Sequence, residues 1–137
     1  AKKGPLLVVP GGAAPSATVP AYLDTLAPKA TVVIGSVDAV ADNVAATLPK
    51  VSRLTAADAV DTASKAATWA GAASMRTVVM GKAGAPISAI ALAPGSVVLL
   101  VDTSVAASTK VVLQRGVATL VSGPNVERAL LTTAKRL

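Results

Sequence analysis

Any chemistry in this chain of 137 residues has to be done without histidine and without cysteine. That excludes Ser-His-Asp triads, Cys-His pairs, disulfides and histidine or cysteine metal sites. The carboxylates are Asp24, Asp38, Asp42, Asp58, Asp61, Asp102 and Glu127. Asp38 and Asp42 stand four apart in a segment with helical spacing, so they are expected on one helix face. A carboxylate pair there can bind a hard cation. Asp58 and Asp61, three apart, are expected on one face near the start of the next helix. A solvated helix N-terminus is the simpler account of both pairs, since acids there favour the macrodipole.

Gly81-Lys82-Ala83-Gly84-Ala85-Pro86 follows an apolar run and precedes a short expected helix. A glycine-rich turn of that kind can cradle a phosphate. It is neither GxGxxG nor a P-loop, because Lys82 precedes the second glycine and no Ser or Thr follows it. Lys82 and Asp102 follow apolar runs, at the carboxyl ends of expected strands, where open α/β sheets bind ligands. No catalytic residue set, metal site or cofactor is expected.

The remaining candidate chemistry is charge. Thirteen Lys and Arg against seven acids give a net charge of +6 and a pI near 10.1. Such a chain associates with acidic partners: nucleic acid, an anionic polysaccharide or a membrane surface. Trp69 and Tyr22 are the only aromatic residues, too few for base stacking along a single strand, so no specific nucleic-acid partner is expected. Lys29, Lys50, Arg53, Lys82, Lys110 and Arg115 all fall near the ends of expected elements.

Those elements alternate. Short runs rich in Val, Leu and Ile at 5–9, 31–35, 51–54, 76–80, 96–101 and 117–121 are expected to be strands buried on both faces. Helical spacing occupies 18–27, 37–48, 56–70, 105–115 and 124–136 between them. Ser16 and Ser104 stand where caps are expected, and Thr55-Ala56-Ala57-Asp58 resembles a capping box. Pro124 stands at an expected first helical position, and Gly71 and Gly116 at expected helix ends. Such alternation predicts an α/β fold, with about six strands in a mostly parallel sheet and helices on both faces.

Apolar residues make up 53% of the chain, yet there is no Phe, so the core must be built from Ala, Val, Leu and Ile. The mean hydropathy of +0.63 raises the question of a membrane span. The charge-free run from Ala83 to Val101 is broken by Pro86, Pro94 and Gly95, and a buried strand after a short helix is the better account. No signal peptide is visible, because Leu6 to Val9 is too short for an apolar h-region.

The chain also repeats itself. Leu6–Val9 matches Val98–Val101 at an offset of 92, and Thr31–Ile34 matches Ala118–Val121 at 87. The difference lies in the longer first connection. Residues 51–93 occur once. One domain over 1–137 is expected, with a first tail at 1–50, a head at 51–93 and a second tail at 94–137.

Arg53, Leu54, Asp58, Thr62 and Ala63 resemble the opening of the type 2 cell wall-binding repeat of Gram-positive surface proteins. Val78, Val79, Gly81 and Pro86 are similar to its next strand and turn, and Val98 to Asp102 to its leucine-rich strand. Gly35 and Gly123 each keep one of its paired glycines. Ala56, Ala59, Val60 and Ile87 stand where that repeat has polar residues or glycine. The resemblance implies a Rossmann-like or Toprim-like module without catalytic activity. It further implies an extracellular, wall-associated protein that binds an anionic wall polysaccharide and associates in threes or with neighbouring repeats. The six cations named above would carry the binding. Two other readings stay open: a small nucleotide- or metabolite-binding protein using the strand ends near Gly81 and Asp102, and a structural assembly unit whose Ala-rich helices pack against neighbours.

Overall fold

A computed structural model describes residues 7, 18–71, 76–81, 96–115, 119–122, 126 and 128–136. It is an α/β structure with parallel strands. Its elements are α1 (Thr18–Leu26), β1 (Thr31–Ile34), α2 (Asp42–Ala45), β2 (Val51–Leu54), α3 (Ala59–Ala70), β3 (Arg76–Gly81), β4 (Ser96–Val101), α4 (Ala107–Gln114), β5 (Thr119–Ser122) and α5 (Arg128–Lys135). The expected strand at 5–9 (Leu7 excepted), the expected cap Ser16, the expected first helical residue Pro124 and the turn at 82–86 lie outside the described residues. No helix among the described residues is long and apolar enough to cross a membrane. The end of the charge-free run, from Ser96 to Val101, is a strand.

The chain divides into two compact units, one of residues 3–56 and one of residues 57–137 with Ala1 and Lys2. In the first, β1 and β2 pair in parallel with Thr31 opposite Val51 and Val33 opposite Arg53. Val33 is buried with Val40, Val44 and Ala45, and Ala41 and Leu48 pack against that cluster. Side chains alternate across a strand, so Val33 and Arg53 share the face that residues 40–48 cover. Ile34 and Val51 are exposed. The expectation of burial on both faces fails here: the cluster of Val33, Val40, Val44 and Ala45 covers one face, and Ile34 lies on the other.

In the second unit β3 lies between β4 and β5, all parallel, with Val79 opposite both Leu99 and Ser122. Val97, Leu99 and Val101 alternate inward from β4 and pack with Ala67, Val105, Val112, Leu113 and Ala134. Val98 and Leu100, on the other face, are half-buried. The core is aliphatic and small, as the lack of Phe requires.

The second strands of the two expected tails have different neighbours. β1 pairs with β2, whereas β5 pairs with β3. Likeness of sequence in those strands does not carry likeness of pairing.

Helix α3 is set by its ends. Asp58 is extended and its carboxylate accepts the Asp61 amide at 2.9 Å, so Asp58 is itself the N-cap rather than the closing acid of a box opened by Thr55. Gly71 closes the helix in the left-handed region at φ 89°, which glycine adopts without a Cβ clash. Asp58→Ala should cost about 1 kcal/mol, read as a lower denaturation midpoint with an unchanged slope. Helix α4 begins instead after Ala106, with no side-chain cap, so Ser104 does not serve as one.

Candidate functional site

The carboxylates of the two expected pairs have different places in the fold. Asp38 lies in a turn and Asp42 opens α2, so the shared helical face expected for them does not exist. Asp58 is engaged as a cap. Asp61 accepts a hydrogen bond of 2.5 Å from the Ser108 hydroxyl, which ties α3 to α4. No group of three potential metal ligands occurs among the described residues.

Arg53 occupies the most built environment of the five candidate cations among the described residues. Its position opposite Val33 aims the side chain under the segment that follows β1. There one terminal nitrogen donates to the carbonyls of Gly35 and Ser36 at 2.9 and 3.0 Å. The other donates to the Val40 carbonyl at 2.8 Å and to Asp42 Oδ1 at 3.0 Å. The side chain is 19% exposed and that of Asp42 is 75% exposed. The guanidinium fork thus gathers one loop, residues 35–42, onto the strand. Gly35 fits this closure because its φ is +132° and a Cβ there would stand 3.0 Å from that of Ala39. Both terminal nitrogens of Arg53 are taken up within the fold, which leaves little of it for a polymer.

Lys29, Lys50, Lys110 and Arg115 are exposed, and none of them forms an ion pair among the described residues. Lys50 has φ +45°, and its carbonyl accepts the Thr31 amide at 3.3 Å, so the turn into β2 holds it. Lys82 lies outside the described residues. Sequence reasoning passed over Arg128 and Arg136, both exposed on or just beyond α5. The available signal was the excess of cations over acids near the end of the chain.

A second polar arrangement lies between helices. Ser64 Oγ and Thr109 Oγ1 are 3.1 Å apart and buried, and Thr109 also donates to the Leu100 carbonyl at 3.4 Å. A buried hydroxyl pair with no outward opening joins α3 and α4 and is a packing feature. Thr109→Val should cost about 2 kcal/mol by leaving Ser64 without this partner. Adding Ser64→Ala should restore about half of that, so a double-mutant cycle by chemical denaturation should show coupling.

No family model, no curated protein and no solved structure matches this chain.

Proposed function

We propose that this chain is a non-catalytic wall-binding or surface-anchoring module that holds an anionic wall polysaccharide on a basic surface. The observation that carries the reading is the set of exposed cations, Lys29, Lys50, Lys110 and Arg115, with no carboxylate partner among the described residues. Cations left facing solvent attract a polyanion by long-range field rather than by pocket chemistry. The residue pattern from Arg53 to Ala63, similar to the wall-binding repeat, points the same way. In this reading the parallel strands belong to a Rossmann-like or Toprim-like arrangement of about six strands, Lys82 adds to the surface, and Arg53 acts by holding the 35–42 loop. The protein would work outside the cell, at the wall.

Purified Gram-positive cell walls should pull the protein down at about 50 mM salt and release it near 0.5 M, where screening shortens the reach of exposed charges to a few ångströms. No retention at low salt, or retention that salt does not weaken, would count against the proposal.

A structural assembly unit is the second reading. Tyr22, Leu26, Ile34, Val37 and Val51, all in the unit of residues 3–56, are exposed apolar side chains. A mass in solution of three chains, together with no wall retention, would favour it.

A further inference from the structure

The basic charge of this chain is unevenly placed. Residues 103–137 hold Lys110, Arg115, Arg128, Lys135 and Arg136 against Glu127 alone, a net of +4. Residues 1–102 hold eight cations and six acids, a net of +2, and together these make the +6 of the whole chain. Two thirds of the net charge therefore sits in the last quarter of the sequence.

The fold turns much of that charge outward. In α5, Leu130 and Ala134 pack on the core that Leu99 and Val112 also build. Arg128, Thr132 and Arg136 recur at intervals of four and are exposed. In α4, Val112 and Leu113 are buried while Lys110 and Arg115 are exposed. Neither helix contains an acidic residue, and none of these four cations forms an ion pair among the described residues. The apolar face of α5 is already used in the core, so the helix cannot lay that face into a bilayer without unpacking. Residues 103–137 contain no aromatic side chain, so they offer no stacking surface for bases.

We infer that the outward faces of α4 and α5, carrying Lys110, Arg115, Arg128 and Arg136, are the principal surface for an anionic polysaccharide. This rests on the polyanion reading above and says where on the chain that binding resides. Lys29 and Lys50, near Asp24, Asp38 and Asp42 in the sequence, are secondary.

The test compares three variants of equal charge. K110E/R115E, R128E/R136E and K29E/K50E each lower the net charge from +6 to +2. Binding to fluorescent dextran sulfate is followed by anisotropy across a salt series. The first two variants should lose roughly tenfold or more in affinity at low salt and show a shallower salt dependence, as expected when cation contacts are removed. The third should lose less than about threefold. Equal losses in all three would overturn the inference, because net charge alone would then explain binding. No binding by the unaltered protein would overturn the polyanion reading itself. Displacement of dextran sulfate by duplex DNA at a far lower charge concentration would overturn the choice of partner. Should a reversal disturb the far-ultraviolet circular dichroism, R128Q/R136Q replaces it, with an expected loss of about threefold.

Discussion

Leu99→Ala is expected to destabilise the unit of residues 57–137 by roughly 3 to 4 kcal/mol. Leu99 is 0% exposed and lies in the middle of β4, between Val97 and Val101 on the inward face. Its neighbours in the cluster are Ala67, Val105, Val112, Leu113 and Ala134. All but Leu113 are small or β-branched, so they have little reach with which to refill the space. The loss therefore includes both the transfer of the side chain and a residual cavity. A single domain of this size has a total stability of about 5 to 10 kcal/mol, so the change removes a large part of it. Chemical denaturation should show it as a lower midpoint, and hydrogen exchange should place it in α3, β4 and α4. Leu99→Met, which keeps the volume, should cost less than about 1.5 kcal/mol. A loss below 1 kcal/mol for Leu99→Ala would mean that this strand does not hold the core as described.

Arg53→Ala is expected to cost about 3 kcal/mol, felt in the unit of residues 3–56. The variant leaves the carbonyls of Gly35, Ser36 and Val40 without their charged donor. Ser36 keeps the amides of Ala39 and Val40 as partners, at 3.1 and 2.9 Å, so the larger share of the loss falls on the other two carbonyls and on the packed stem of the arginine. The ion pair contributes little by comparison, because the Asp42 side chain is 75% exposed. Asp42→Asn should therefore cost no more than about 0.5 kcal/mol. Arg53→Lys should recover little, since one ammonium cannot span four acceptors with the geometry of a fork. Amide exchange at Gly35, Val40 and Val44 should accelerate in Arg53→Ala and stay slow in Asp42→Asn. Equal effects of the two variants would show that the charge pair, rather than the carbonyl contacts, holds the loop.

These two sites differ in how far they can be read without coordinates. Leu99 sits in the stretch 96–101, whose uninterrupted apolar residues from Val97 to Val101 are enough to predict a buried strand with the bounds observed. The runs expected at 31–35, 51–54 and 76–80 meet strands at 31–34, 51–54 and 76–81, although Ser52, Arg53, Arg76 and Thr77 are polar, and α3 ends at Gly71 as expected. Local preference suffices there because burial and backbone geometry demand the same residues. The paired carboxylates could not be read so directly. Three- and four-residue spacing predicts a shared face only where a helix exists, and Asp38 stands in a turn.

Alternation of apolar runs with helical spacing thus determined the α/β character of this protein, and the lack of His and Cys determined which chemistries are closed to it. The break in the expected helix over 37–48 was decided by tertiary structure. Val40 and Val44 have helical spacing, but the Val40 carbonyl is taken by Arg53, thirteen residues along the chain, and the Val44 amide turns to Ala41 at 3.0 Å. Ala41 is left extended at ψ 150°, and only residues 42–45 remain helical. A donor that arrives from a neighbouring strand replaces the local hydrogen bond, and no window of sequence around Val40 contains it. The same holds for charge: the cations are visible in the chain, but which of them face water and which hold a loop depends on the strand register that sets Arg53 opposite Val33.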